Sequence, residues 1–265
     1  MIPRAHVTAW RSRAPWPEDY QIEQDLVIAR ALVELYSEPM IRDGLALRGG
    51  TAIYRLANRA ARYSEDIDLV QQDKGPIGPL LDAARACLDP WLGPPRRTRG
   101  PDSFDSESIP VRRLRLKVEI NTRDHFTVLE PRRERFEIDS PWFRGVAEVL
   151  VYEPDELYAS KLRALYQRKK GRDLFDLASA LQLGLVDPTR VMECFVRYME
   201  GEPPVTRAQF ERNLMGKASD RAFLEEVRPL LATGTVYDPT QAIETVLKEL
   251  ISHLPGEPWR GVPGT

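Results

Sequence analysis

The sequence predicts an α/β region followed by a helical region, and three observations support this fold class. Short apolar segments with alternating polarity lie in roughly the first 150 residues. A turn of two glycines and a threonine joins two of the elements predicted there. From Pro154 onward, the apolar residues recur at helical spacing instead. We therefore expect an α/β domain over residues 1–153 and a helical domain over residues 154–265, in a chain long enough to bury a complete core.

The α/β region is expected to begin with a helix. Residues 17–38 have apolar side chains near helical spacing, and Pro39 ends that pattern. Residues 45–47 then form a short strand that enters the Gly-Gly turn, and residues 51–58 form the helix that leaves it. A second strand follows at residues 67–70, so the turn lies between two predicted strands.

The remaining elements alternate less regularly. A helix is predicted at residues 79–88, and residues 90–110 are rich in Pro, Gly, Arg and Ser, which predicts a mobile loop. Residues 111–121 form the clearest strand, with one apolar face and one charged face. Further strands are expected at 132–138 and 146–152, and helices at 155–169, 173–183 and 189–200, with others up to residue 254.

Charge and cysteine content restrict the function classes. The chain has 38 basic and 40 acidic residues, so RNA could bind only to local basic clusters. Cys87 and Cys194 lie far apart, which predicts free thiols in a reducing compartment. The sequence has no apolar leader and no run of about 18 apolar residues. We therefore expect a soluble, cytoplasmic protein that does not contact a membrane, and three scattered histidines do not suggest a zinc site.

The most informative segment combines a glycine turn with two aspartates. If the following segment is a strand, Asp66 and Asp68 point to one face while their apolar neighbours point to the core. Two adjacent carboxylates repel each other unless a cation such as Mg²⁺ lies between them. Backbone N–H groups in the turn Gly49-Gly50-Thr51 can bind phosphate oxygens. The segment therefore predicts a metal–nucleotide site, although an Asp-x-Asp pair alone also occurs on ordinary surface strands.

Two residues further along the chain fit the same chemistry, and each has a structural alternative. Glu119 lies on the polar face of its strand and could bind the same ion, or it could simply pair with Lys117 or Arg115. Lys161 lies on the apolar stripe of its helix, where its ammonium needs an anionic partner such as a triphosphate. Its side chain could instead extend to the surface while its stem covers the core.

A basic turn precedes the next helix. Asp173 is expected to cap that helix or serve the site, and Asp176 is expected to form a buried ion pair with Arg172. The turn could be an ordinary solvated loop, or it could hold an RNA backbone. Its basic residues are Arg168, Lys169, Lys170 and Arg172, and a second basic cluster comprises Arg96, Arg97 and Arg99.

Taken in order, these segments resemble the AbiEii/MenT nucleotidyltransferase toxin family. The resemblance covers residues 17–183, and the segment at Ser64 to Leu69 is its most specific part. About the last 80 residues carry no matching motif. The matching segments are LRGGTA at 47–52, RYSEDIDL at 62–69, KVEI at 117–120, KLRAL at 161–165 and RDLFDL at 172–177.

The resemblance implies a polymerase-β-like nucleotidyltransferase core with a helical C-terminal half that completes the active site. It implies a toxin of a type IV toxin–antitoxin or phage-defence system that transfers NMP from NTP to an RNA acceptor, the tRNA 3′ end, and so blocks translation. The implied cofactor is Mg²⁺, or Mn²⁺ in its place, and the implied partners are NTP, tRNA and a cognate antitoxin protein. Nucleotidyl transfer to a protein or a small molecule, or NTP binding without turnover, are the alternatives.

Residue roles follow from the resemblance position by position. It places metal binding at Asp66, Asp68 and Glu119, nucleotide binding at Gly49, Gly50, Thr51, Ser64 and Lys161, and catalysis at Asp66, Asp68, Glu119, Lys161 and Asp173.

Overall fold

The computed structural model describes residues 2–58, 62–93, 102–105, 113–200 and 203–261. The chain divides into two compact units. The first comprises Met1–Tyr152 and Leu230–Thr233, and the second comprises Glu153–Pro229 and Gly234–Thr265. In the ranges given, none of the helices combines the length and the apolar character that crossing a bilayer requires.

The first unit is built on a mixed sheet that has six strands among the described residues. The strand order is β3-β4-β2-β1-β6-β5. The second strand is central, antiparallel to the first and parallel to the fourth. The aspartate-bearing strand therefore has a neighbour on both sides. The strands are β1 (Leu45–Arg48), β2 (Asp66–Gln71), β3 (Asp102–Asp105), β4 (Arg113–Asn121), β5 (Arg132–Asp139) and β6 (Arg144–Val151).

Helices cover this sheet and lead into the glycine turn. Glu18 and Gln21 form a capping box at the start of the second helix, which is buried along most of its length. Pro39 ends that helix, as predicted, and also starts the next one. The helices are α1 (Arg4–Trp10), α2 (Asp19–Ser37), α3 (Pro39–Gly44), α4 (Gly49–Ala52), which continues as a π-helical turn at Ile53–Ala57, and α5 (Gly78–Leu92).

Two features of this unit differ from the expectation. Helix α1 lies in a segment for which we predicted no element. The predicted loop at 90–110 contains the end of α5, which continues through Pro90, and the short strand β3. The Trp91 indole donates to the Cys87 carbonyl and so helps to hold this last turn. The other residues of the predicted loop, 94–101 and 106–110, lie outside the described ranges.

The segment Leu230–Thr233 returns to the first unit. The Tyr63 backbone N–H donates to the Leu230 carbonyl at 2.8 Å, and the Thr233 N–H donates to the Pro15 carbonyl at 3.1 Å. Leu230–Thr233 therefore belongs to the first unit, although it follows most of the second unit in the sequence.

The second unit is helical, as expected for this half of the chain. Helix α6 packs on α7 and α8, and α7 packs on α11. Three of these helices begin with a proline at an early position, where the missing N–H has no intrahelical role. The helices are α6 (Pro154–Gln167), α7 (Gly171–Gln182), α8 (Pro188–Tyr198), α9 (Arg207–Ala218), α10 (Arg221–Glu225) and α11 (Pro239–Glu249), with 3₁₀ turns at Arg228–Leu230 and Ile251–His253.

Candidate active site

The two aspartates of β2 lie on the more exposed face of the sheet. Asp66 and Asp68 are half-buried. Ile67 and Leu69, between and beyond them, are almost fully buried. The predicted alternation of side chains along this strand is confirmed.

Asp68 lies in a row of charged residues that crosses three strands. In the strand pairing, Asp68 lies opposite Arg48 on β1 and opposite Glu119 on β4. Paired residues of neighbouring strands share a face, so Asp68 lies between a cation and a second carboxylate. The sequence analysis did not single out Arg48, and its only signal was its position directly before Gly49.

Glu119 also makes the local contact that we considered as its alternative. The Lys117 ammonium lies 2.5 Å from the Glu119 carboxylate. In the part of the chain that the structure describes, no three or more Asp, Glu, His or Cys side chains gather closely enough to hold a metal ion. Asp66 and Asp68 are the carboxylates that could hold a metal ion here, and Glu119 could join them only after its ion pair with Lys117 breaks.

The electrostatics of Asp66 fit a hard cation. The pKa of Asp66 is raised to about 6, chiefly because the carboxyl group is buried. Lys117 lowers this pKa, and the carboxylates of Glu65, Asp68 and Glu119 contribute to raising it. A carboxyl group in this state gains from a positive ion beside it, because the ion favours the charged form. Mg²⁺ prefers oxygen ligands, so the residues present fit that ion.

The glycine turn presses directly against the aspartate strand. Gly49 has a φ of 77°, and a Cβ atom built there would lie 2.0 Å from the Asp68 carboxylate. A Cβ atom on Gly50 would lie 2.8 Å from the Ser64 hydroxyl oxygen. The structure therefore brings Gly49, Gly50, Ser64 and Asp68 together, and no side chain fits at the two glycines without displacing their neighbours.

Thr51 links the glycine turn to the aspartate strand. Its side chain is buried and its hydroxyl donates to the Asp66 backbone carbonyl at 2.5 Å. This hydrogen bond ties the glycine turn to β2. A phosphate contact at this residue is left to the backbone N–H.

Gln24 on α2 joins the two strands that carry the acidic residues. Its amide nitrogen donates to the Arg115 carbonyl at 2.9 Å and to the Glu65 carbonyl at 3.3 Å. These carbonyls precede the paired stretch of β4 and β2, so one buried side chain holds the starts of both strands. The sequence analysis had not given Gln24 this role.

The next residue, Asp25, anchors the helix that leaves the glycine turn. Its buried carboxylate accepts hydrogen bonds from the indoles of Trp10 and Trp16 at 2.7 and 3.1 Å. It also forms an ion pair at 3.0 Å with Arg55, which lies on the π-helical turn. A satisfied buried carboxylate of this kind fixes its partners in place.

In the second unit, Lys161 is buried among carboxylates. Its ammonium lies 3.4 Å from Asp173 and 3.1 Å from Asp176, and its side chain is only 7% exposed. The alternative of a side chain that reaches the surface is therefore wrong. The anionic partner that this lysine needs is supplied by the protein itself.

The ion pairs around Lys161 differ from one that we predicted. Asp176 pairs with Lys161, whereas the Arg172 guanidinium lies 3.8 Å from Glu226. The expected pairing of Asp176 with Arg172 is therefore wrong. Asp173 also accepts two hydrogen bonds from the Arg168 guanidinium, at 2.7 and 2.8 Å.

The basic turn is largely neutralised by nearby acids. Lys169 forms an ion pair with Asp220, and Lys170 lies 3.8 Å from Glu226. Both lysine side chains remain about half exposed. The second basic cluster, Arg96, Arg97 and Arg99, lies outside the described residues.

Comparisons with known proteins identify a family and a similar fold. The model of the nucleotidyl transferase AbiEii toxin family, a type IV toxin–antitoxin family, matches residues 30–249. The fold is similar to that of MenT4, a nucleotidyltransferase toxin from Mycobacterium tuberculosis H37Rv, with a TM-score of 0.63 and 18% identity over 96% of this chain and 91% of that one. JHP933 from Helicobacter pylori gives a TM-score of 0.49 and 18% identity, over 88% and 91% of the two chains. No curated protein sequence matches the chain.

The family model spans most of the chain, and the structure has the α/β nucleotidyltransferase fold that the sequence predicted. This nucleotidyltransferase therefore belongs to the AbiEii toxin family of type IV toxin–antitoxin systems.

Proposed function

We propose that this toxin transfers a nucleoside monophosphate from an NTP to the 3′-hydroxyl of a tRNA and thereby blocks translation. The acceptor oxygen attacks the α-phosphorus, a new P–O bond forms, and the bond to the β-phosphate breaks to release pyrophosphate. The observation that carries this proposal is the contact between the Gly49-Gly50 turn and the Asp68 carboxylate.

Each residue of this group has a proposed task. Backbone N–H groups of the turn and the Ser64 hydroxyl bind oxygens of the triphosphate. Mg²⁺, or Mn²⁺, held by Asp66 and Asp68, would activate the attacking hydroxyl and neutralise charge on the departing pyrophosphate. The Glu119 carboxylate is exposed, and it could accept the proton from that hydroxyl after its ion pair with Lys117 breaks.

The roles of Lys161 and Asp173 rest on the family resemblance. We propose that Lys161 stabilises negative charge on the phosphates and that Asp173 holds its ammonium in position. The ion pairs of Lys161 with Asp173 and Asp176 would hold the ammonium in a fixed position for this role.

The RNA acceptor, the cognate antitoxin protein as partner, the role in phage defence and the cytoplasmic location are further parts of the proposal. The net charge of −2 favours RNA contacts through few basic groups. Lys169 and Lys170 are candidates because they remain half exposed despite their ion pairs.

One experiment tests the acceptor and the chemistry together. The protein is incubated with each of the four α-labelled NTPs, Mg²⁺ and total tRNA, with the Asp68→Asn variant as the matched control. We expect label on tRNA with the wild type and none with the variant. Equal label without RNA would identify a protein or small-molecule acceptor, and no label with any NTP would favour a binding protein without turnover.

Growth in bacteria tests the toxin function. The wild type should arrest growth and the Asp68→Asn variant should not. Arrest by both proteins would contradict a catalytic mechanism of toxicity.

A further inference from the structure

Strand β5 lies at one edge of the sheet that the described residues form. It is the last strand of the sheet, and β6 is its one strand partner among the described residues. The backbone groups on its outer side can therefore pair with a strand from another chain, as exposed sheet edges do.

The exposed face of β5 carries charges in a specific order. Arg133 and Arg135 come first, and Glu137 and Asp139 follow. Their side chains are 41%, 67%, 55% and 55% exposed. The opposite face is different, because Phe136 and the isoleucine two residues later are buried against the core.

This order is complementary to itself when read in the reverse direction. If a second copy of β5 runs antiparallel with Phe136 opposite Phe136, then Arg135 faces Glu137 and Arg133 faces Asp139 of the other copy. By symmetry the same pairs form again, so every exposed charge faces an opposite charge. Directly opposed unlike charges stabilise a strand pair, and like charges destabilise it.

Neighbouring registers lose this match. If one strand shifts by two residues in one direction, Arg135 lies opposite Arg135 of the other copy. If it shifts by two residues in the other direction, Glu137 lies opposite Glu137. A shift by a single residue would turn the two sheets to opposite faces. The charge order therefore selects one register.

We propose that two copies of this protein associate through antiparallel pairing of their β5 strands, centred on Phe136, which joins their sheets into one. Three existing ion pairs involve these charges: Arg135 with Glu137 at 3.1 Å, Arg133 with Asp43 at 2.9 Å and Arg144 with Asp139 at 2.7 Å. They do not prevent the pairing. Exposed pairs of this kind contribute little, so exchanging or sharing them costs little.

Charged edge strands also occur in proteins that avoid association, so a monomer is the competing outcome. The two outcomes differ in how charge reversals behave. Because a strand edge buries little area, the dimer should form in the micromolar range or above and weaken at high salt.

The first test is sedimentation equilibrium of the full chain over a concentration series. Arg135→Glu or Glu137→Arg alone places like charges opposite each other twice per dimer and should weaken association by roughly tenfold. The double variant Arg135→Glu/Glu137→Arg exchanges the charges and should restore it. Arg197→Glu, at a surface arginine on α8 whose side chain is 56% exposed, is the matched control and should change nothing.

The second test reads the register directly, in a Cys87→Ser/Cys194→Ser background. A mixture of Arg135→Cys and Glu137→Cys chains should form a mixed disulfide dimer on mild oxidation, because these positions face each other. Self-linking of Arg135→Cys or of Glu137→Cys alone would indicate one of the shifted registers. A monomer at every concentration, or a dimer that ignores the charge reversals, would overturn the proposal.

Discussion

Gly49 and Asp68 occupy adjoining space, such that the first side-chain atom of any other residue at position 49 would overlap the Asp68 carboxylate. The backbone at Gly49 also has a positive φ, which other residues rarely adopt. The absence of a side chain at Gly49 therefore leaves the space that the Asp68 carboxylate occupies.

Gly49→Ala should reduce nucleotide transfer by about 10²-fold, because a displacement of the carboxylate by about 1 Å is enough to cause a loss of that size. Labelled-nucleotide incorporation per folded protein is the measurement. Gly78→Ala is the control, since a Cβ atom there meets nothing within 4 Å. Activity of Gly49→Ala within about twofold of the Gly78→Ala control would contradict the proposed site.

Lys161→Met should reduce both turnover and stability. Turnover should fall by about 10²-fold with the loss of one electrostatic contact. Stability should fall by about 3–5 kcal/mol, since the change leaves buried carboxylates without their lysine.

The double variant Lys161→Met/Asp176→Asn separates these effects. Removing the Asp176 charge as well should recover much of the melting temperature, while transfer stays low. Recovery of transfer together with stability would show that Lys161 has only a structural role.

Gln24→Met should disturb the alignment of β2 and β4 more than the stability of the unit. Two carbonyls lose their donor, which should cost about 1–3 kcal/mol. The concentration of Mg²⁺ needed for half-maximal activity should rise, because Asp68 and Glu119 are no longer held in register. Ile28→Val on the same helix costs about 0.5–1.5 kcal/mol and is the control. An unchanged Mg²⁺ requirement in Gln24→Met would show that Gln24 only supports the fold.

Lys217 should make stability depend on pH in the alkaline range. Its buried ammonium donates to the carbonyls of Leu165 and Tyr166 at the end of α6. Burial lowers the pKa of Lys217 to about 8, against the opposing effect of Asp173 and with a small contribution from Lys169.

Between pH 8 and the ordinary lysine pKa of about 10.4, the unfolded chain binds more protons than the folded one. Stability from this group should therefore rise with pH across that window. The difference in unfolding free energy between the wild type and Lys217→Met should grow in the same direction, as measured by urea unfolding at pH 7, 9 and 10. A difference that stays constant would show that Lys217 titrates normally.

The sequence predicted those parts of the structure that depend on local periodicity. The side-chain alternation at Ile67 and Asp68 follows from strand geometry alone, so the face of β2 that carries the half-buried carboxylates was predicted correctly. The helical second half was predicted for the same reason, because its apolar residues repeat at helical spacing.

Contacts between distant elements could not be predicted in this way. Arg172 lies one helical turn before Asp176, and this spacing suggested an ion pair between them. In the folded chain Arg172 lies near Glu226 instead, and Asp176 forms an ion pair with Lys161. Gln24 donates to carbonyls 41 and 91 residues away. Every residue has a backbone carbonyl, so the sequence does not indicate which carbonyls accept hydrogen bonds from Gln24. Only the fold shows them.

The return of Leu230–Thr233 to the first unit restricts how this toxin can be divided or recombined. A fragment that stopped at Tyr152 would leave the Tyr63 N–H, three residues before Asp66, without its acceptor in a buried position. The unsatisfied N–H group would destabilise the segment that leads into the aspartate strand. Fragments and fusions of the first unit should therefore keep Leu230–Thr233, because without it the segment before the aspartate strand loses a backbone hydrogen bond.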